Sequence, residues 1–352
     1  MSRRSELIET IHKLCQSGKG ILAADESTGT IGKRFAGIGI SNTIDNRREY
    51  RDLLFSTEDL QNHISGVITF EETLFDIAPN GSPLIQPLLD NDIVVGIKVD
   101  MGVKPLYGTC GESVTQGMDN LDTRCKKYYE RGARFAKWRA VLKIDPENSC
   151  PSDLAIHENA TTLARYASIC IDNGIVPIVE PEILMDGSHT IEKSRDVAVQ
   201  VLSAVYRELV RHNVDIECTL LKPNMVRPGV SSEEKMDYGD IAKHTISAFQ
   251  QAVPVSMPGV LFLSGGMSEI EASMALSEIN KYKSTKPWRL TFSYGRALQS
   301  SVLNAWRGDG KNRAMAQQTL MERARANGMA SDGMYEPEER VDETLHEENY
   351  LY

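Results

Sequence analysis

The sequence has 352 residues, of which 41% are hydrophobic and 25% charged, a composition typical of globular proteins rather than disordered or fibrous ones. The formal net charge of −10 argues against a basic surface for a nucleic acid or an anionic membrane, so neither partner is expected. We see no apolar run of membrane-spanning length, no signal peptide and no disulfide framework among the cysteines, so a cytoplasmic location is the default expectation.

The chain begins with an amphipathic helix over residues 1–15 and continues with eight short apolar runs, most of which close on a polar residue. These runs cover residues 20–24, 65–70, 93–97, 134–136, 175–179, 216–221, 260–263 and 289–293. Amphipathic segments of helical period separate most of them, most clearly 152–173, 190–212 and 238–252.

Strand–helix alternation repeated eight times predicts an α/β fold, a (β/α)8 TIM barrel. A doubly wound sheet is the rival, but the turn at residues 25–29 lacks the glycine pattern of its dinucleotide-binding form. We expect residues 1–330 to form one barrel domain. Residues 331–352 contain eight acidic residues and one arginine, and we expect them to form a mobile C-terminal tail.

Polar residues at the carboxyl ends of barrel strands line one common mouth. The residues expected there are Asp25, Glu71, Lys98, Lys137, Glu180, Lys222, Ser264 and Arg296. Charged groups at the ends of apolar strands are costly unless they are paired or functional. Three lysines and several carboxylates around one cavity therefore indicate acid–base or covalent chemistry, although Glu71 belongs to no motif and a structural role is expected for it.

A lysine suits covalent chemistry on a carbonyl group. A neutral amine attacks a ketone and loses water, and the resulting iminium is an electron sink; desolvation and a neighbouring cation both favour the neutral amine. Lys222 ends a very apolar run, Lys137 is the natural cationic neighbour, and Glu180 can move protons on the adduct. The seven histidines have no metal-binding spacing, so a metal is not expected. No other cofactor is expected.

Two groups of residues indicate anion binding. Ser264-Gly265-Gly266 follows the seventh run and Arg296 follows the eighth, the place where barrel enzymes often bind phosphate. A helix is expected to begin near Ser268. The pair Lys33-Arg34 could hold a second phosphate on the opposite side of the mouth, which would suit a bisphosphate.

Seven stretches resemble class I fructose-bisphosphate aldolases, and the resemblance extends from the N-terminal helix to the last residue. They are GKGILAADESTG at 18–29, GIKVD at 96–100, FAKWR at 135–139, IVEPE at 178–182, LLKPNM at 220–225, FLSGG at 262–266 and TFSYGRAL at 291–298. The resemblance implies a lyase of glycolysis and gluconeogenesis. It would cleave fructose 1,6-bisphosphate reversibly to dihydroxyacetone phosphate and glyceraldehyde 3-phosphate, as a cytosolic homotetramer without a metal.

The resemblance also implies a role for individual residues. Lys222 would form the Schiff base, Glu180 would shuttle protons, and Glu182 would position Lys222. Asp25 and Lys137 would assist cleavage of the carbon–carbon bond, and the terminal Tyr352 would exchange a proton at the enamine carbon. The residues implied for the C1 phosphate are Ser264, Gly265, Gly295 and Arg296. Those implied for the C6 phosphate are Thr30, Lys33, Arg34 and Lys98, with Arg139 in the same mouth.

Two alternatives remain at this stage. The first is another Schiff-base barrel enzyme, such as a transaldolase or a deoxyribose-phosphate aldolase, which two basic clusters disfavour. The second is a barrel that has lost catalysis and serves as a binding protein, which the complete set of charged residues disfavours. The preference between fructose 1,6-bisphosphate and fructose 1-phosphate stays open. The tail is more acidic than is usual in the family, which leaves open whether it delivers Tyr352 to the site.

Overall fold

The computed structural model describes residues 2–78, 80–336 and 344–350. Within these residues there are ten strands and twelve α-helices. The strands are β1 (Gly20–Ala24), β2 (Ile64–Thr69), β3 (Val94–Lys98), β4 (Val103–Pro105), β5 (Ser113–Thr115), β6 (Phe135–Leu142), β7 (Val176–Ile183), β8 (Leu220–Leu221), β9 (Gly259–Phe262) and β10 (Arg289–Tyr294).

The helices lie mainly between the strands. They are α1 (Arg3–Leu14), α2 (Thr28–Gly37), α3 (Ile44–Phe55), α4 (Glu71–Phe75), α5 (Gln86–Asp90), α6 (Leu121–Glu130), α7 (Asp153–Asp172), α8 (Ile191–Arg211), α9 (Tyr238–Ala252), α10 (Glu269–Lys281), α11 (Arg296–Trp306) and α12 (Arg313–Ser331). No helix among the described residues is long and apolar enough to cross a membrane.

Eight of the strands close into a parallel barrel in the order β1-β10-β9-β8-β7-β6-β3-β2, and β4 and β5 form a separate antiparallel hairpin. Every predicted apolar run contributes one barrel strand, so the predicted (β/α)8 barrel is confirmed. The run at 216–221 was too long as a strand, because Ile216–Cys218 form a 3-10 turn and only Leu220–Leu221 pair as β8.

The helix predictions are also confirmed, and the residues at their ends explain why. The Ser152 and Thr190 hydroxyls accept hydrogen bonds from the backbone at the start of α7 and α8, and both side chains stood at the predicted starts. Ser268 forms a capping box with Glu271 at the start of α10, as its position after the glycine turn indicated.

Alternation along the strands divides the core in two. One set of side chains, which includes Leu22 and Trp138, packs outward against the helices, and Trp138 lies 5.5 Å from the Tyr166 ring of α7. The other set fills the barrel interior, where Phe135 and Ile178 pack with side chains of α1. The predicted N-terminal helix is therefore the apolar plug at the amino-terminal end of the barrel.

The end of the chain contacts two parts of the barrel. Helix α12 runs to Ser331 and packs on α10 and α11, and Tyr335 beyond it is buried. Residues 344–350 lie at the carboxyl ends of the strands, where the amide of Leu345 donates to Gly266. The division at residue 330 and the mobility of the tail stay predictions.

Candidate active site

The same strands that are apolar near α1 become charged two residues further on. Lys137 follows Phe135 in β6, Glu180 follows Ile178 in β7, and Lys222 follows Leu220 of β8, each at a spacing of two. Because side chains two apart in a strand share a face, these charged groups enter the same barrel interior. The charged level thus lies directly above the apolar one.

The strand ends differ from those expected at two positions. Lys137 and Glu180 were predicted to close their strands, but β6 continues to Leu142 and β7 to Ile183. The parallel ladder between them persists, with Arg139 paired in register to Glu180. Both side chains therefore lie inside the barrel rather than at its rim, and both are at least 97% buried.

Glu180 joins the two lysines of the charged level. Its Oε1 lies 3.1 Å from Lys222 Nζ, and its Oε2 lies 3.6 Å from Lys137 Nζ. Lys137 Nζ also lies 2.8 Å from Asp25 Oδ2, at the end of β1. One carboxylate and one ammonium thus connect Lys222 to Asp25 through a buried chain, along which a proton can be held or moved.

The carboxylates of this network are held ionised by the lysines. Burial alone would raise the pKa of Asp25, but the charges of Lys137 and Lys222 lower it to about 2. Burial likewise opposes ionisation of Asp100, whose pKa is nevertheless lowered by Lys98 and Lys137. Both acids are therefore anions at neutral pH.

Lys98 does not reach the cavity that the other residues share. Its ammonium donates to the carboxylate of Asp100 and, at 2.8 Å, to the Asp100 carbonyl. Burial lowers the pKa of Lys98, although Asp100 opposes that shift. In this structure Lys98 therefore neutralises Asp100 and does not line the cavity, and the phosphate contact that the resemblance implies for it stays a prediction.

A cavity of about 570 Å³ opens above the charged level, and twelve of the fifteen predicted site residues line it. They are Asp25, Thr30, Arg34, Lys137, Arg139, Glu180, Glu182, Lys222, Ser264, Gly265, Gly295 and Arg296. Lys33 is exposed on α2 and does not line the cavity. Tyr352 lies outside the described residues.

Glu71 was expected at the mouth, but it is exposed at the start of α4. Strand β2 ends at Thr69, and Phe70 turns the chain into the helix, which carries Glu71 away from the barrel axis. The structural role expected for Glu71 stays a prediction.

One wall of the cavity can bind an anion. Gly265 and Gly266 both have positive φ, +55° and +84°, conformations that glycine adopts without strain. Ser264 precedes them, and α11 begins at Arg296 directly after Gly295. A glycine turn, a helix amino terminus and a guanidinium together form a site of the kind that phosphate groups occupy.

Arg34 lies on this same wall, not on the opposite side as predicted. A Cβ added at Gly295 would lie 3.9 Å from Arg34 Nη2, and Arg34 also pairs with the buried Glu26. Closure of the barrel is the reason, since β1 pairs directly with β10 although they lie at opposite ends of the chain. Of the three arginines that line the cavity, Arg139 is the one on β6, away from the β1–β10 pair.

Arg139 and Glu182 form a buried pair at the rim. The Arg139 Nε lies 2.5 Å from Glu182 Oε2. Burial alone would raise the pKa of Glu182, but the charge of Arg139 outweighs burial, and the pKa is lowered. The predicted role of Glu182 concerned Lys222, whereas its direct ion-pair partner here is Arg139.

The tail segment 344–350 rests on the same arginines. Arg296 donates to the Leu345 carbonyl and lies 3.5 Å from a Glu347 carboxylate oxygen. Arg139 donates to the Tyr350 carbonyl at 2.9 Å, and the Tyr350 ring lies 4.5 Å from the Arg296 guanidinium carbon. Part of the acidic tail thus reaches the mouth.

Sequence reasoning missed three residues that the structure places in or beside the site: Glu26, Asp100 and Tyr350. Asp100 has the same spacing of two from Lys98 that marks the other charged side chains, so the pattern could have revealed it. Glu26 pairs with Arg34 and Arg51, a contact that depends on how α2 and α3 pack. Among the described residues, no group of three or more His, Cys, Asp or Glu side chains is arranged to hold a metal ion.

The chain resembles known proteins over almost its whole length. The model of the glycolytic class-I fructose-bisphosphate aldolase family matches residues 6–352. The chain is 54% identical to cytosolic fructose-bisphosphate aldolase 4 of Arabidopsis thaliana, over 99% of this chain and 90% of that one. It is also 54% identical to fructose-bisphosphate aldolase C of Pan troglodytes, over 95% of this chain and 92% of that one.

A solved structure has the same architecture. Fructose-bisphosphate aldolase from Plasmodium falciparum, crystallised with TRAP and a small-molecule inhibitor, superposes with a TM-score of 0.94 at 52% sequence identity, covering 96% of each chain. Together with the barrel and the lysine–carboxylate network at its mouth, these matches show that the chain belongs to the class-I fructose-bisphosphate aldolase family and is an aldolase.

Proposed function

We propose that the chain cleaves fructose 1,6-bisphosphate reversibly to dihydroxyacetone phosphate and glyceraldehyde 3-phosphate through a Schiff base on Lys222. The observation that carries the proposal is the placement of Lys222 and Lys137 on one buried carboxylate, Glu180, beneath a mouth that contains three arginines. The lysines suit carbonyl chemistry, and the arginines suit a substrate with phosphate groups.

The covalent steps follow from these positions. The Lys222 amine attacks the C2 carbonyl, and Glu180, 3.1 Å away, transfers the proton that lets the hydroxyl leave as water. The Asp25 carboxylate accepts the proton of the C4 hydroxyl as the C3–C4 bond breaks, and the ammonium of Lys137, 2.8 Å from Asp25, assists this step. The electron pair of that bond enters the iminium and gives an enamine, while glyceraldehyde 3-phosphate leaves.

The reaction ends with protonation of the enamine at C3 and hydrolysis of the iminium, which releases dihydroxyacetone phosphate and restores Lys222. We assign to Tyr352 the donation of the proton to C3. Its near neighbour Tyr350 already contacts Arg139 and Arg296, which supports delivery of the chain end to the mouth. The direct pairing of Glu182 with Arg139 suggests that Glu182 orients Arg139 as well as Lys222.

The two phosphates are assigned to different walls. Ser264, Gly265, Gly295 and Arg296 form the site for the C1 phosphate, with Arg34 beside them. Arg139 of β6 remains for the C6 phosphate, and Thr30, on α2 like Arg34, also lines the cavity. Cations on different walls of one mouth favour a bisphosphate over a monophosphate, which is the reason to prefer this reaction to that of a transaldolase.

Borohydride trapping tests the Schiff base. The protein is reduced in the presence of dihydroxyacetone phosphate and digested, and the modified lysine is identified by mass spectrometry. We expect the adduct on Lys222. The Lys222→Ala variant should lose both labelling and cleavage activity, whereas Lys104→Ala, which removes an exposed lysine of β4, should retain both. Full activity of Lys222→Ala would contradict the mechanism.

A steady-state comparison of fructose 1,6-bisphosphate with fructose 1-phosphate tests the second phosphate contact. We expect a higher kcat/KM for the bisphosphate. Equal values would contradict the proposal that a second wall of the mouth binds the second phosphate. The same coupled assay with and without EDTA tests the metal-free mechanism, because loss of activity in EDTA would contradict it.

The assembly and location are proposals from the family. A homotetramer is expected, and light scattering would contradict it by giving the mass of a single 39.1 kDa chain. A cytoplasmic location is supported by Arabidopsis relatives that are named cytosolic, and cell fractionation tests it.

A further inference from the structure

A second cavity lies next to the substrate cavity, across the Ser264-Gly265 turn. His346, Glu347 and Tyr350 of the tail segment also line it. The loops that follow β7 and β8 form much of its wall and contribute Asp186, His189 and Arg227. None of these three residues lines the cavity above Lys222.

Arg227 brings an uncompensated positive charge to this wall. Among the described residues it has no ion-pair partner within contact distance, and its buried Nε has no hydrogen-bond acceptor. The acidic group that acts most strongly on the pKa of Arg227 is Glu271, but its carboxylate accepts the Ser268 amide at 2.9 Å in the capping box of α10. A largely buried guanidinium without a carboxylate is costly unless a ligand pairs with it.

His189 brings a second unused polar group. The residue is 6% exposed, and its buried Nδ1 has no partner among the described residues. Burial and the charge of Arg227 lower its pKa, so the ring is neutral at pH 7 and can donate one hydrogen bond. The buried Ser194 of α8 lines the same cavity.

The acidic groups around the cavity are already engaged. Glu182 pairs with Arg139, and Glu347 faces Arg296. Asp186 accepts the Asn349 amide at 2.8 Å and lies 3.5 Å from His346 Nε2. Arg227 is therefore the arginine of this wall that has no carboxylate partner among the described residues, and an anionic ligand would supply one.

We propose that this cavity is an accessory site for a small phosphate monoester that carries hydroxyl groups. Arg227 holds the phosphate with two parallel hydrogen bonds, and His189 and Ser194 bind its remaining oxygens. The proposal goes beyond the cleavage reaction, since the ligand contacts neither Lys222 nor Glu180. Because Arg296 and the tail also line the cavity, a ligand there lies against the residues that hold the tail on the mouth.

Calorimetric titration of glycerol 3-phosphate tests the site. The protein is first reduced with borohydride in the presence of dihydroxyacetone phosphate, which fills the C1 side of the substrate cavity. We expect this adduct to bind glycerol 3-phosphate, and we expect Arg227→Ala and Arg227→Gln each to weaken that binding about tenfold, the scale of a hydrogen bond to a charged group. Arg211→Ala, which removes an exposed arginine of α8, is the matched control and should bind as the unchanged protein does.

Unchanged affinity in both Arg227 variants, or no binding to the adduct, overturns the proposal, as does equal weakening by Arg211→Ala. Retained cleavage activity shows that the variants are folded, and the Gln variant keeps a polar side chain where Ala leaves a gap. Failure of labelling would instead contradict the proposed Schiff base. The same titration series on the unreduced protein would then decide the accessory site.

Discussion

The two levels of the barrel interior differ in chemistry although the same strands build both. Near α1, Phe135, Ile178 and Leu220 form an apolar level. Two residues further along each strand, Lys137, Glu180 and Lys222 form a charged one. The lower level stabilises the barrel by burying apolar surface, whereas the upper level places buried charges that are useful only as a connected set. We therefore expect substitutions in the lower level to reduce mainly stability, and substitutions in the upper level to reduce mainly activity.

The largest effect is expected from Lys222→Met, which makes the upper level locally apolar. Cleavage activity should fall by about 10⁴-fold or more, the scale at which a nucleophile contributes. Stability should change much less, because Glu180 keeps Lys137 as a partner. Coupled kinetics and thermal denaturation measure the two effects. A large loss of stability would show that the upper level also holds the fold together.

The converse change is Phe135→Ala in the lower level. Loss of a fully buried ring should cost about 3–5 kcal/mol of unfolding free energy. Borohydride labelling of Lys222 in the folded fraction should persist, since the charged network is untouched. Chemical denaturation and labelling are the measurements, and abolished labelling in folded protein would show that the two levels are not separable.

Gly96→Ala tests how tightly the lower level is packed. A Cβ at this position would lie 2.3 Å from Phe135 Cε2, which is closer than atoms can pack. We expect a loss of about 1–3 kcal/mol through overpacking. Gly37→Ala is the matched control, since nothing lies within 4 Å of its added Cβ. Equal stability of the two variants in thermal denaturation would indicate that Phe135 can move aside.

The pH dependence of the unfolding free energy in acid tests the upper level. The pKa of Asp25 is lowered to about 2 in the folded protein, from an ordinary value of 3.8. Its ionised form therefore stabilises the fold above about pH 4, and this contribution of about 2 kcal/mol is lost as the pH falls toward 2. Asp25→Asn should flatten the stability profile in that window. An unchanged profile would contradict the coupling of Asp25 to the lysines.

The smallest effects concern the rim of the upper level. Arg34→Ala should raise KM for the bisphosphate about tenfold, because Arg34 lines the cavity beside Gly295. Its neighbour Lys33 is exposed and outside the cavity, so Lys33→Ala should leave KM unchanged. Steady-state kinetics compare the pair. A raised KM for Lys33→Ala would restore the phosphate contact that the resemblance implied.

Local features of the sequence were sufficient to predict much of this protein. The eight strands, the capped ends of α7 and α8 and the start of α10 follow from apolar periodicity and from serine or threonine at the cap positions. The charged level was predictable as well, because a spacing of two along a buried strand places side chains on one face whatever the rest of the fold does. The motifs then identified Lys222 among three lysines.

Tertiary structure decided what depends on contacts between distant parts of the chain. Closure of β1 on β10 placed Arg34 beside Gly295, which no local pattern could show. The return of residues 344–350 to the mouth placed Glu347 beside Arg296. Periodicity determines which face of a strand a side chain takes, but its partner depends on barrel closure and packing, because those bring together residues far apart in sequence.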